Sequence, residues 1–288
     1  MNEILENVVL ADSVNRYLVA APKIAARRKA GQFVIVRIDE FGERIPLTIA
    51  DADPAQGTIT LVVQAVGKST AQMATLKPGD RLLDVVGPLG APTHIERVGT
   101  VAVVAGGIGI APAHPVAQAF KQAGNTVIAI LGARSKNLLI MEDEMRRAAD
   151  EVIVCTDDGS YGCPGLVTHV LNDLIDTRGK PDQVFAVGPV PMMKYVSLLT
   201  REYGIPTMVS LNPIMMDGTG MCGGCRVTIG GHTKFACVEG PDFDGHLVDF
   251  DELMQRQAFY KEQERVAYER YVQRCRSQEH IAQANQSL

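Results

Sequence analysis

The chain has 288 residues, 46% of them apolar and 21% charged, with a formal net charge of −5. That is material for roughly two domains at about 150 residues each, and it excludes a disordered chain. No basic tract marks a nucleic-acid surface and no run of about 18 uncharged apolar residues marks a membrane span. The acidic start lacks the basic-then-apolar order of a secretory signal, so the expectation is a cytoplasmic chain that binds neither nucleic acid nor membrane.

Residues 1–97 read as a β-rich unit. Apolar runs at Gln32–Ile38, Thr58–Gln64 and Arg81–Val86 are parted by turn signals such as Lys77-Pro-Gly-Asp80, with one helical stretch at Thr70–Leu76. Many short strands with turns between them predict a small β-barrel. From 98 to 210 the texture changes. Apolar runs at Val101–Ala105, Thr126–Leu131, Glu151–Thr156 and Gln183–Val187 alternate with helical stretches at Ala113–Gln122 and around Met141–Ala149. That alternation predicts an α/β domain with a doubly wound parallel sheet. Residues 211–250 are rich in Gly and Cys and too short for a core of their own, so a small module leaning on a neighbour or a cofactor is expected. Residues 251–288 are polar, lack Gly and Pro, and predict a helical docking tail.

Two stretches carry chemistry. The run Val101–Ala105 enters Gly106-Gly-Ile-Gly-Ile-Ala-Pro112 and then a helix, a unit that can set a pyrophosphate against free helix N–H groups. It is not the usual dinucleotide fingerprint, because Pro112 stands where the third Gly belongs. The loops Thr156-Asp-Asp-Gly-Ser160 and Gly188-Pro-Val-Pro-Met-Met193 follow two other strands, so three loops share one sheet edge, where open α/β sheets bind ligands.

The second stretch holds three of the six cysteines, as Asp217-x4-Cys222-x2-Cys225-x11-Cys237. Plant-type [2Fe–2S] sites use C-x4-C-x2-C and a distant fourth Cys. Here that spacing is kept with Asp217 in the first position. A [2Fe–2S] cluster with Asp217 as fourth ligand, a Cys3Asp zinc site, and a buried or redox-active Cys pair all fit this pattern. His232, and less readily Cys275, are the substitutes for Asp217. Cys155 reads as a small core residue and Cys163 as a loop residue.

Together these residues resemble the ferredoxin–NADP reductase superfamily. Within it they resemble the group that includes the electron-transfer subunit of dihydroorotate dehydrogenase and the small subunit of NADH-dependent reduced ferredoxin:NADP oxidoreductase (sulfide dehydrogenase subunit beta). Asp217 matches the latter, since the dihydroorotate partner has four cysteines. The resemblance implies FAD in the barrel. Its motif is Arg44-Ile-Pro46-Leu47-Thr48, with Arg44 on a phosphate and Thr48 near the flavin; Gly67-Lys-Ser69-Thr70 would contact the pyrophosphate. It places Gly107, Gly109, Asp157 and Gly188 at a pyridine nucleotide. NAD(H) is implied, and NADP(H) stays open, because Arg134 stands where an NAD site usually has an acid. The implied function is a relay from NAD(P)H through FAD to the cluster. Electrons then pass to or from a larger FAD/[4Fe–4S] subunit, with ferredoxin served by that subunit, as the NAD(H) arm of a bifurcating complex. The alternatives are a dihydroorotate dehydrogenase subunit, a stand-alone reductase and a zinc-stapled assembly subunit.

Overall fold

The computed structural model describes residues 2–286. Its first part contains β1 (Ile4–Ala11), β2 (Val14–Ala20), α1 (Pro22–Ala25), β3 (Phe33–Arg37), β4 (Arg44–Asp53), β5 (Thr58–Gln64), α2 (Lys68–Ala74) and β6 (Asp84–Leu89). The six strands form one antiparallel sheet in the order β1-β2-β5-β4-β3-β6. A bridge between Glu3 and Arg81, with Ile4 N–H on Asp80 O (2.8 Å), joins its two ends and closes it into a barrel. Alternate residues point inward, as strand period two requires. Tyr17 and Val19, Val34 and Val36, and Ile59, Leu61 and Val63 fill the interior with Met73 from α2.

The second part runs β7 (Thr100–Gly106), α3 (Ile110–Gln122), β8 (Thr126–Ala133), α4 (Glu142–Ala148), β9 (Glu151–Thr156), β10 (Cys163–Pro164), α5 (Val167–Arg178), β11 (Gln183–Val187), α6 (Val190–Tyr203) and β12 (Thr207–Ser210). The sheet order is β10-β9-β8-β7-β11-β12-β15, parallel from β10 to β12. The first strand, β7, therefore lies in the middle. The chain builds outward to β9 and β10, then crosses back to β11 on the other flank. That reversal makes a topological switch point between the carboxyl ends of β7 and β11. Strands β7, β8 and β11 are buried along nearly their whole length because helices cover both faces. Helix α3 presents Ile110, Ala113, Val116, Ala117 and Phe120 to this core and also leans on the barrel. There its cluster takes in Ala11, Ala50 and Val62, and His114 Nδ1–H donates to Ala50 O at 3.2 Å.

The third part has a hairpin of β13 (Arg226–Ile229) and β14 (His232–Phe235), then α7 (Ala236–Glu239), β15 (Asp242–Asp244), α8 (Phe250–Ala258) and α9 (Lys261–Gln286). Gly230 and Gly231 turn the hairpin with φ +57° and +79°, the pair of positive values that a two-residue I′ turn demands. As its length suggested, this segment borrows a core. Leu211, Met215, Val227, Cys237 and Leu253 pack with Phe33 and Ile35 of the barrel and Met193 of α6. Its β15 adds an antiparallel edge to the nucleotide sheet. Among the described residues no helix is long and apolar enough to cross a membrane.

The barrel and the doubly wound sheet agree with the sequence reading. Strands β1, β2, β4, β10 and β12 and helices α1, α5 and α6 had not been read from it. In β1 the inward residues Ile4 and Ala11 sit at the two ends of a mostly solvent-facing strand, so no alternation shows.

Candidate functional site

A cleft of about 1560 Å³ lies between the barrel and the carboxyl edge of the parallel sheet. A single-ligand pocket is about 300–1,000 Å³, so this cleft holds more than one small group. Its barrel wall includes Pro46, Leu47, Thr48 and Thr70; its sheet edge includes Gly107, Gly109, Asp157 and Gly188.

On the barrel side, strand period two puts Arg44, Pro46 and Thr48 on one face of β4. Their partners across β3 are Arg37, Ile35 and Phe33. Arg37 is paired with Asp84 (3.8 Å) and donates to Gly42 O (3.4 Å), so the charge it would set against Arg44 is already met within the barrel. Arg44 itself is exposed and lies outside the cleft lining, as do Gly67 and Ser69. The Ser69 hydroxyl donates to Glu43 Oε2 at 2.5 Å. Thr70 Oγ1 accepts Gly67 N–H at 3.0 Å and so caps the start of α2.

On the sheet side, the switch point is built by close backbone approach. A Cβ on Gly109 would stand 2.4 Å from Val187 O, and one on Gly188 3.0 Å from Gly106 O. The loops after β8 and β9 are tied together: Asp157 N–H donates to Ala133 O (3.0 Å) and Lys136 N–H to Ser160 Oγ (2.9 Å). Arg134 and Asp157 both line the cleft. So do Thr168 and His169 at the start of α5, Ser210 at the end of β12 and Asn212 just beyond it. The sequence reading missed these four. With β12 unread, its carboxyl end was not counted among the edge loops, although Asn212-Pro213 marks a chain break in the pattern.

The cysteine loop sets two of its sulfurs side by side and ties Asp217 to the backbone of Cys222. Cys225 Sγ and Cys237 Sγ lie 3.2 Å apart and buried. Asp217 accepts Cys222 N–H at 2.7 Å and Thr219 N–H at 2.8 Å, which holds its carboxyl below the usual range, Thr219 contributing most. Gly224 N–H points at Cys222 Sγ (3.5 Å). Burial, and next the Cys225 thiol, push the Cys237 thiol up to about 12. The Cys237 sulfur so placed becomes a thiolate near neutral pH only with a cation to hold it. Among the described residues no three His, Cys, Asp or Glu side chains converge as on one metal ion. A buried sulfur pair, a third sulfur met by the Gly224 N–H, and a carboxylate on the same loop are a donor set that fits a dinuclear cluster. His232 stands at the turn end of the hairpin, three residue pairs or about 10 Å along the strands from the Cys225 end. Cys275 lies on α9, which runs against α2. Neither substitute reaches the loop.

The loop is seated on the barrel. Gly218 has φ +75°, and a Cβ there would fall 2.6 Å from Leu89 and 3.0 Å from Ile35. Ile35 is the cross-strand partner of Pro46, which lines the cleft. The strand that the cysteine loop touches is therefore the neighbour, at about 4.8 Å, of the strand that presents Pro46 to the cleft. From behind, Arg256 of α8 donates to Gly224 O (3.3 Å) and Gln257 to Asn212 O (2.8 Å).

Comparison with known proteins agrees with this geometry. Residues 212–249 match the model of the iron–sulfur cluster binding domain of dihydroorotate dehydrogenase B, and residues 103–198 that of the oxidoreductase NAD-binding domain. The dihydroorotate dehydrogenase B (NAD(+)) electron transfer subunit homolog of Thermotoga maritima is 51% identical over 94% of this chain and 96% of its own. The dihydroorotate dehydrogenase B (NAD(+)) electron transfer subunit of Desulforamulus reducens is 37% identical over 77% of this chain and 87% of its own. A solved chain of the NADH-dependent reduced ferredoxin–NADP oxidoreductase, studied for flavin-based electron bifurcation, is 50% identical. It superimposes with a TM-score of 0.90 over 94% of this chain and 98% of its own. The chain belongs to the family of dihydroorotate dehydrogenase B electron transfer subunits and their homologues, and it is an oxidoreductase subunit whose cofactors are NAD(H), FAD and a [2Fe–2S] cluster.

Proposed function

We propose that this chain is the NAD(H) arm of a cytoplasmic, bifurcating ferredoxin:NADP oxidoreductase. It exchanges electrons with a larger subunit that carries flavin and [4Fe–4S] clusters and serves ferredoxin. Bound together, the nicotinamide, flavin and cluster supply hydride transfer followed by single-electron transfer; the protein supplies binding, orientation and electrostatics. The observation that carries the reading is the adjacency at Ile35: one neighbour, Gly218, belongs to the cluster loop, and its cross-strand partner Pro46 faces the cleft. The likeness to the bifurcating oxidoreductase chain supports the finer assignment.

In this reading residues 1–97 bind FAD, 98–210 the pyridine nucleotide and 211–250 the cluster, and 251–288 dock the partner. Gly107, Gly109 and Gly188 keep the switch point open to a pyrophosphate, and Asp157 faces the nucleotide. Arg44 and Thr48, with Pro46, Leu47, Gly67, Ser69 and Thr70, hold the flavin. Asp217 and Cys222 take one iron, Cys225 and Cys237 the other. Met216, Met221 and Val238 form an exposed apolar rim around the loop, the kind of surface that meets a partner. The names of the relatives favour a second reading, the electron transfer subunit of a dihydroorotate dehydrogenase.

The test is an anaerobic NADH titration of the purified chain, with iron assayed alongside. Bleaching of flavin bands, then of cluster bands, at about two irons per chain is expected; flavin without iron would overturn the relay. Adding either candidate large subunit separates the two readings. Ferredoxin- and NADP-linked turnover supports the first, and dihydroorotate-dependent NAD(+) reduction the second.

A further inference from the structure

Two cysteines, Cys155 and Cys163, have no part in the relay. Cys155 lies in β9, Cys163 opens β10, and the parallel register pairs them directly. Paired residues on neighbouring strands project from the same face, and the strands lie about 4.8 Å apart. Disulfides accept Cα separations of about 4.4–6.8 Å.

The pairing is held firmly. Gly162, at φ +68°, lies so close on β9 that a Cβ would stand 2.2 Å from Val154 O. Thr156 Oγ1 accepts Tyr161 N–H (3.0 Å) and donates to Tyr161 O (2.9 Å), and Gly165 N–H donates to Thr156 O (2.9 Å). The loop closed in this way, 156–162, carries Asp157 into the cleft, and the chain leaving β10 enters α5 through Leu166, also in the cleft wall.

The two thiols have different surroundings. Cys163 is exposed. Cys155 is buried with Ile130 and Val167, and burial, then the nearby Cys163 and Asp157, push its thiol up to about 12. One thiol meets solutes and the other waits behind it, the arrangement of an oxidant-sensing cysteine with its resolving partner.

We propose that Cys155 and Cys163 are a peroxide-oxidisable dithiol whose disulfide clamps the 156–162 loop at the rim of the nucleotide cleft. The Cys163 sulfur attacks one oxygen of hydrogen peroxide and the O–O bond breaks. The other oxygen leaves as water with the thiol proton, and Cys163 becomes a sulfenic acid. The Cys155 sulfur then attacks the sulfenic sulfur, the S–O bond breaks, and that oxygen leaves as a second water with the Cys155 proton. Two thiols lose two electrons, one peroxide gains them, and a dithiol such as dithiothreitol restores the pair. Closing the bond draws Cys163 inward and moves the loop and the entry to α5, so the oxidised chain binds NADH more weakly.

The experiment treats the full-length, cofactor-loaded chain with stoichiometric hydrogen peroxide, stops it with catalase, alkylates the unfolded protein and digests it with trypsin. No Lys or Arg lies between Ala148 and Arg178, so both cysteines fall on one peptide. Expected is loss of both alkylation sites with a mass two hydrogens lower, reversed by dithiothreitol. Cys155→Ser leaves a dimedone-reactive sulfenic acid at Cys163, and Cys163→Ser leaves Cys155 free to alkylate. The KM for NADH in dye reduction, which bypasses the cluster, rises on oxidation of the wild type and stays put in Cys163→Ser. A wild-type Cys163 that stays a sulfenic acid while Cys155 alkylates, or that pairs with another cysteine, would overturn the dithiol. A disulfide with an unchanged KM would overturn the clamp. The mass measurement stands whatever acceptor the chain serves.

Discussion

In the proposed reading the nucleotide edge and the cluster loop both turn backbone N–H groups to an anionic guest, and both use glycine, for different reasons. At the edge, Gly109 has an ordinary φ of −61° and is required only because Val187 O leaves no room for a Cβ. In the loop, Gly218 needs both the room and its φ of +75°. The edge is supported by its own sheet. The loop is supported from outside, by Ile35 and Leu89 of the barrel and by Arg256 of α8. A fault at the edge should therefore stay local, and a fault in the loop should loosen the joint between modules.

The largest effect tests the loop's identity. Cys237→Ala removes the inner half of the buried sulfur pair, so iron falls to near zero while flavin content and NADH-driven flavin bleaching remain; an iron assay and visible spectrum read this. Wild-type iron in the variant would remove the loop from the argument. Next comes the contrast itself. In Gly109→Ala the added methyl meets backbone that cannot turn aside, and overpacking costs about 1–3 kcal/mol. The KM for NADH rises roughly tenfold, which is about 1.4 kcal/mol, with iron unchanged. Gly218→Ala meets movable Leu89 and Ile35 side chains but adds left-handed strain of about 1–2 kcal/mol. NADH binding is kept, and electron transfer from flavin to cluster slows in stopped-flow traces. Equal loss of NADH binding in both variants would erase the distinction.

This difference in support also explains what was legible in the sequence. Strand β11 matches its apolar run residue for residue, and β7 and β8 match theirs to within two residues at either end, because a doubly covered parallel strand must be apolar along its length. The cysteine spacing pointed to a cluster among other metal or redox readings, because ligands along one loop are a local pattern. The joints were not legible. Nothing local says that Gly218 rests on Ile35, that β15 joins the nucleotide sheet, or that Arg256 braces the loop, since each is a contact between distant segments. Cys155 and Cys163 were set aside for the same reason: a register, not a motif, puts them side by side.

A third joint is pH-sensitive. Asp242 of β15 accepts the Thr93 hydroxyl on Oδ2 at 2.6 Å, while Oδ1 is buried without a partner among the described residues. Burial raises its pKa to about 6, against the pull of the Ser210 and Thr93 hydroxyls. The native state then holds a proton that the unfolded chain, titrating near 3.9, has lost. Stability falls as pH rises from about 4 to about 6, by about 2–3 kcal/mol, and stays lower above that. Asp242→Asn keeps the shape without the charge and should flatten that slope in denaturant unfolding. An unchanged slope would mean that the carboxylate finds a partner when it ionises.

The smallest effect concerns the C-terminal helices. Cutting the chain at 251, where the polar tail of the sequence begins, removes buried Leu253 together with Arg256 and Gln257, which hold Gly224 and Asn212. Iron occupancy should fall, because the brace of the cluster loop goes with the helix. Cutting at 261 keeps α8 and removes only α9, which rests on α2. Flavin and iron per chain should then stay at wild-type levels, and only capture of the large subunit should weaken. If the cut at 261 also costs flavin, α9 is a strap that holds α2 over the flavin site, and the barrel, like the cluster loop, is a site supported from outside.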